Sequence, residues 1–200
     1  MSASLLASAI DYALGSVDCV APELLDQPTP CREWDLAALL RHATDSVAAL
    51  HQGLASGYVS LDRAGTAEPP AATPGSLAGI FRDRAARLRA AAGTGGQYDI
   101  AIASRHVATP LVTAVGAIEI AVHGWDVAAA CGQGRSRPIP ADLARSMLEI
   151  VPLVVTDATR GSQFATPVAV PPPFGPSDRL LALLGRDPAW PGPAGPDPAS

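Results

Sequence analysis

The spacing of helix breakers constrains this chain more than any other feature. Twenty prolines and eighteen glycines fall largely into clusters, and the intervals between clusters are long enough for helices of several turns. Within those intervals Ala, Leu, Val and Ile recur at spacings of three and four, the period of a helix with one buried face. The pattern predicts an all-helical core. A first helix is expected over residues 3–25, with Leu5, Ile10, Leu14 and Val17 among its apolar positions; Pro22 kinks or stops it, and the turn at 27–30 ends it. A second opens at Asp35, whose carboxylate can accept from free first-turn amides, with Trp34 and Leu39 as a staple pair, and ends near Gly57. Residues 62–75 read as a surface loop, after which Thr73 and Pro74 start a third helix that reaches residue 92 and stops at Gly93, Gly95 and Gly96. A fourth begins at Thr109 and Pro110, carries Leu111, Val115, Ile118, Val122, Trp125 and Ala129 on one face, and ends at Gly132 and Gly134. A fifth starts at Pro140 and is bent or ended by Pro152.

Beyond it, residues 164–175 alternate Val with Pro and Ala, which suits an extended segment or a weak hairpin. A short helix over 177–184 follows, and from Pro188 the chain becomes a proline-rich tail. Residues 1–187 thus read as one helical-bundle domain and 188–200 as its tail, in keeping with the size of a single globular domain.

Charge and cysteine content narrow the functional classes. Fourteen Arg oppose nineteen acidic residues for a net charge of −5, and no segment gathers the positive charge that a nucleic-acid backbone requires. Cys19, Cys31 and Cys131 are widely spaced, unlike a disulfide scaffold or a paired zinc motif, which predicts reduced thiols and a cytoplasmic setting. No arginine precedes Arg32, so no signal peptide is expected. No membrane span is expected either, because residues 161–177 carry five prolines and the apolar stretch at 107–118 is shorter than the roughly 20 residues a span needs. Either a monomer or a homodimer fits this composition.

The segment Glu119-Ile-Ala-Val-His123-Gly-Trp125-Asp126 carries the strongest chemical signal. Side chains four apart on a helix lie one turn above the other, so Glu119 and His123 can aim a carboxylate oxygen and an imidazole nitrogen at one point. They are flanked by Val115, Val122 and Trp125, where a carboxylate without a cation or hydrogen bonds would be costly. A third ligand would come from another helix. His42 and His51 lie on opposite edges of the second helix's apolar stripe, His106 reads as loop or first-turn surface, and periodicity does not choose among them. Asp126, three residues beyond His123, can orient an imidazole or receive a proton. Trp34 and Trp125 read as core and staple residues, and Arg179 and Arg186 as anion-binding groups or as helix-end charges and salt bridges. Cys31 precedes the second helix, where the helix dipole favours a thiolate, so a cysteine nucleophile is a rival mechanism; Cys19 and Cys131 read as structural. Nucleophile-elbow, phosphate-loop and dinucleotide motifs are absent.

Several of these residues recur together in a known pattern. Thr29-Pro-Cys31-Arg-Glu-Trp34-Asp35-Leu, then Leu39-Leu40-Arg-His42, then Glu119-x-x-x-His123-Gly-Trp125-Asp126, then Phe174-Gly-Pro and Asp178-Arg179 through Arg186-Asp187-Pro-Ala-Trp190 resemble the actinobacterial metal-binding branch of the DinB-like superfamily, related to the mycothiol-dependent maleylpyruvate isomerases. The resemblance spans about residues 5–190. It implies a DinB-like four-helix bundle holding one divalent metal, with His42 as first ligand and Glu119 and His123 as the others; Arg41 stands where relatives often carry Asn. Such a ligand set leaves coordination positions open, so zinc is the first expectation, with nickel, iron and manganese as alternatives. An open position accepts water or a small thiol and favours the thiolate. The expected activity is therefore a mycothiol-dependent transferase or isomerase acting on a small electrophile, with Asp126 and Arg179 in catalytic roles. The isomerases proper carry a further C-terminal domain with an active-site arginine, for which a chain ending at Ser200 leaves no room, so the resemblance is to the bundle domain alone. The alternatives are a non-catalytic metal-binding bundle and a Lewis-acid enzyme that uses no thiol.

Overall fold

A computed structural model describes residues 2–59, 74–92, 99–156, 160 and 165–192. Most of the expected loop at 62–75, Thr73, the glycine stop at Gly93, Gly95 and Gly96, Phe164 and the end of the tail lie outside the described residues. The helices are α1 (Ser2–Ser16), α2 (Leu36–Ser56), α3 (Pro74–Ala91), α4 (Thr109–Ala130), α5 (Ala141–Val154) and α6 (Pro176–Leu183). Helix α1 packs on α4, α4 on α2, α2 on α3 and α3 on α1, which closes a ring of four; α5 lies against α1 and α4 and carries α6. The stripes meet at the centre of the ring, where Leu6, Ile10, Leu39, Leu40, Val47, Phe81, Leu88, Ala117, Ala121 and Trp125 are buried.

Local chemistry sets the ends of α2 and α4. Asp35 caps α2, its carboxylate accepting from the Ala38 amide at 2.7 Å, and Gly57 ends it at φ 72 with its amide on the Gly53 carbonyl. At the end of α4 the Gly132 amide reaches the Ala129 carbonyl and the Gln133 amide the Ala128 carbonyl, the paired closure that a left-handed residue permits. Gly132 has φ 75.

The fold is not purely all-α. Strands β1 (Tyr58–Val59), β2 (Asp99–Ile102) and β3 (Arg105–Ala108) form a small sheet, with β1 parallel to β2 and β2 antiparallel to β3. Its strands are too short to show alternation along the sequence, and the 58–59 pairing with 101–102 is non-local. His106 therefore sits on an exposed strand rather than in a loop or first helical turn. The first helix also stops at Ser16, well short of 25, and single 3-10 turns at Val17–Cys19 and Pro22–Leu24 follow. Pro22 cannot donate within a continuing helix, and the Ser16 hydroxyl is turned back onto the Tyr12 carbonyl at 3.1 Å. Pro152, by contrast, lies within α5, close to its C-terminus. Residues 165–175 are extended without pairing into a strand, and Val168 donates to the Ala182 carbonyl at 2.9 Å, tying the segment to α6.

Helix α4 is longer than the apolar stretch that the sequence marks out, and at 22 residues it is long and apolar enough to cross a bilayer. The expectation that no segment reaches that length is corrected. Its composition has a different cause here: 72% of its most apolar window is buried inside the protein. Gly124 explains how α1 comes so close, because a Cβ there would stand 3.1 Å from the Ala13 Cα and Cβ. Gly124→Val should therefore force α1 off α4 and lower the unfolding free energy by about 1–3 kcal/mol, measured by urea denaturation; a variant as stable as the parent would show that the helices can part without cost.

Candidate metal centre

Helices α2 and α4 are neighbours in the ring, and this brings His42 opposite Glu119 and His123. His42 Nε2 is 3.3 Å from Glu119 Oε1, and His123 Nε2 is 3.2 Å from the same oxygen. The imidazoles meet nearly edge to face, with centroids 5.0 Å apart. Ligand atoms of the three residues all lie within 4.8 Å of one another. The His123 side chain is only 7% exposed, whereas those of His42 and Glu119 are 37% and 35% exposed, so the cluster is walled in on the α4 side and open on the other.

A second layer fixes the first. Asp126 is fully buried and its Oδ2 lies 2.9 Å from His123 Nδ1, which commits that nitrogen to the carboxylate and leaves Nε2 to face Glu119 and His42. Arg186 holds Asp126 in turn, with Nη2 3.2 Å from Oδ2, and Cys31 Sγ donates to the same oxygen at 3.2 Å. Burial alone would raise the carboxyl of Asp126, but the Arg186 guanidinium and the His123 hydrogen bond outweigh it and hold it below its ordinary value. Burial likewise works against ionised Glu119, yet its bonds to His123 and His42 hold it well below the usual carboxylate range. At His123 burial disfavours the charged ring, but bonds to Asp126, Cys31 and Glu119 win and push its proton affinity well up. The same acceptors would favour any cation held at Nε2.

Arg186 owes its position to the end of α6. Gly185 adopts φ 82, its amide reaching the Ala182 carbonyl, and the Arg186 amide returns to the Leu181 carbonyl at 2.9 Å. This closure reverses the chain and turns the guanidinium toward Asp126. A Cβ on Gly185 would stand 3.0 Å from both the Ala165 carbonyl carbon and the Thr166 oxygen. Gly185→Ala should thus cost about 1–2 kcal/mol through the left-handed backbone alone, and more through the clash. Thermal denaturation checks this, and an unchanged Tm would refute the account of the cap.

These residues fit a divalent cation. Two imidazole nitrogens and a carboxylate oxygen converge, one imidazole is locked in the required tautomer, and the set matches an open rather than a closed zinc site. Cys31, His123 and Asp126 also lie close enough to share an ion, but Arg186 Nη2 stands 3.3 Å from Cys31 Sγ, and a fixed guanidinium disfavours a second cation there.

A cavity of about 830 Å³ opens over the cluster. Val115, Ile118 and Val122 of α4 form an apolar wall, Arg32, Glu33 and Arg186 supply polar groups, and Ala165, Thr166 and Val168 line it from the extended segment. The Trp34 ring lies 4.5 Å from the His42 ring, centroid to centroid, held by a loop in which the buried Thr29 hydroxyl accepts from the Cys31 amide and reaches the Trp34 carbonyl.

Of the residues singled out in the sequence, His42, Glu119, His123 and Asp126 are brought together. Arg179 is not. It is exposed on α6, whose Ser177, Leu180 and Leu181 face inward, and it takes no part in the cavity. The arginine beside the cluster is Arg186 instead. His51 and His106 also stand outside the cluster. Cys31 departs from the thiolate expected of a helix-start cysteine, since burial first, and Asp126 next, push its thiol up. Trp34 was legible only as a staple, although its place one residue before the Asp35 cap and eight before His42 puts it on the histidine's side of the helix entrance.

Over residues 6–128 the chain matches the family described as the mycothiol maleylpyruvate isomerase N-terminal domain. It is also similar to an uncharacterized protein of Mycobacterium tuberculosis strain CDC 1551 / Oshkosh and to one of strain ATCC 25618 / H37Rv. Each is 28% identical over 170 residues, covering 84% of this chain and 87% of the relative. No solved structure matches the chain.

Proposed function

This chain belongs to the mycothiol maleylpyruvate isomerase N-terminal domain family, and on that premise we propose that it is a cytoplasmic metal-dependent enzyme that brings a low-molecular-weight thiol, mycothiol or a close analogue, to a small electrophile. The observation that carries the reading is the convergence of His42 Nε2 and His123 Nε2 on one oxygen of Glu119 beneath an open cavity. In this reading the three side chains hold one divalent cation, zinc in the first instance, which supplies a Lewis acid that favours thiolate over thiol near neutral pH.

The chain's own groups do the rest. Asp126 keeps the His123 proton on Nδ1, and Arg186 keeps Asp126 ionised and in place. Val115, Ile118 and Val122 exclude water and receive the carbon skeleton of the electrophile, while Arg32 and Glu33 meet the hydrophilic remainder of the thiol. The sulfur–carbon bond forms as a carbon–carbon double bond opens. Protonation of the neighbouring carbon then gives a transferred thioether, whereas rotation followed by loss of the thiol restores the double bond in an isomerised product.

Cobalt substitution tests the reading. Titrating the cobalt-loaded protein with mycothiol should produce a sulfur-to-cobalt charge-transfer band, and that band should not develop in His42→Ala. An unchanged spectrum in the parent would reject thiol engagement and leave a binding or purely Lewis-acid role.

A further inference from the structure

The two imidazoles of the cluster are held in different ways. His123 is enclosed, and Asp126 fixes it from behind through Nδ1. His42 is partly exposed, and its side-chain hydrogen bonds fall on Nε2, which lies 3.3 Å from Glu119 Oε1 and 3.5 Å from Ser46 Oγ. No described residue is hydrogen-bonded to its Nδ1. The torsion that sets the plane of a histidine ring is broad, so bonds at Nε2 alone leave that plane weakly determined.

An indole stands where the second anchor would be. The Trp34 ring lies 4.5 Å from the His42 ring and 6.1 Å from the His123 ring, centroid to centroid, inclined at 43° to each, and the imidazoles are 5.0 Å apart. The three rings close a triangle, at separations where tilted aromatic rings attract one another. Trp34 is itself fixed. Its amide donates to the Cys31 carbonyl at 2.8 Å, and the hydroxyl of buried Thr29 stands 2.9 Å from its carbonyl. The Leu36 and Ala37 amides, at the start of α2, reach back to the Gln27 and Leu25 carbonyls. The loop that carries the indole is thereby fastened to the helix that carries the histidine. An imidazole whose lone pair is engaged by a cation becomes electron-poor, and indole is the aromatic side chain best suited to positive charge.

We propose that Trp34 is the positioning residue for His42, its indole holding the imidazole in the plane from which Nε2 faces Glu119 and His123. It does for His42 what Asp126 does for His123. The proposal rests on the metal reading given above, because it concerns how one of the ligands to that metal is oriented. It asks more of position 34 than a staple does: a staple needs only apolar bulk, whereas setting the plane of one ring takes the flat face of another.

Two variants of the full chain separate these roles. Trp34→Leu keeps apolar bulk without a flat face, and Trp34→Phe keeps the face. Each is titrated with cobalt beside the parent, the visible spectrum of the loaded protein is recorded, and the metal-free chain is unfolded in urea. Trp34→Leu should bind cobalt about 10- to 100-fold more weakly than the parent, with altered visible bands at saturation, while Trp34→Phe stays close to the parent in both. The two metal-free variants should unfold at similar urea concentrations. Cobalt binding by Trp34→Leu equal to the parent's, equal weakening in both variants, or a Trp34→Leu chain that unfolds well before Trp34→Phe would overturn the proposal and leave the metal centre standing. A parent that takes up no cobalt would overturn the metal reading, and this proposal with it.

Discussion

Protein carrying His123→Ala should emerge from purification with metal at background, and thiol-dependent chemistry should be lost with it. His123 is the most enclosed of the three candidate ligands and the only one anchored from behind by a buried carboxylate. Truncation removes a ligand atom outright, so the loss of metal affinity should exceed the 10- to 100-fold typical of disturbing an outer partner. The helical content should survive, because the Arg186 guanidinium still pairs with Asp126 once the imidazole is gone. Metal analysis after dialysis, beside circular dichroism, checks both halves. Equal metal content in variant and parent would remove the basis of the proposed centre.

Asp126→Ala should produce the largest loss of stability. Asp126 has no exposed surface and meets Arg186, His123 and Cys31 at once. Removing one side of a buried, hydrogen-bonded pair strands the other charge, at a cost of about 3–5 kcal/mol. The neighbouring imidazole also loses its orienting bond, so metal affinity should fall about 10- to 100-fold. Arg179→Ala makes the control: an exposed side chain away from such networks should change stability by no more than about 0.5 kcal/mol. Urea unfolding of the two variants separates them, and an Asp126→Ala protein as stable as the control would mean that the buried network contributes nothing.

What can be read in the sequence follows the range of the interaction that decides each feature. The Asp35 cap, the Gly57 and Gly132 ends and the Glu119–His123 pair rest on contacts within one or two turns, and all stand in the structure where local chemistry puts them. His42 is different. Its place at the edge of a stripe does not say which helix it will face, and only the resemblance distinguished it from His51 and His106. Arg186 lay further out of reach, because its role depends on the reversal at Gly185 and on the docking of α6. The sheet escaped for a related reason: two residues at 58–59 have no strand character until 101–102 lies beside them.

The family match ends at residue 128, so it takes in the three candidate ligands and Asp126, whereas Ala165, Thr166, Val168 and Arg186 come from chain beyond it. In the function proposed above, reactivity and selectivity would thereby fall on separable stretches of polypeptide. A different far wall on the same bundle would admit different molecules, provided that it still delivered a cation to the back of Asp126.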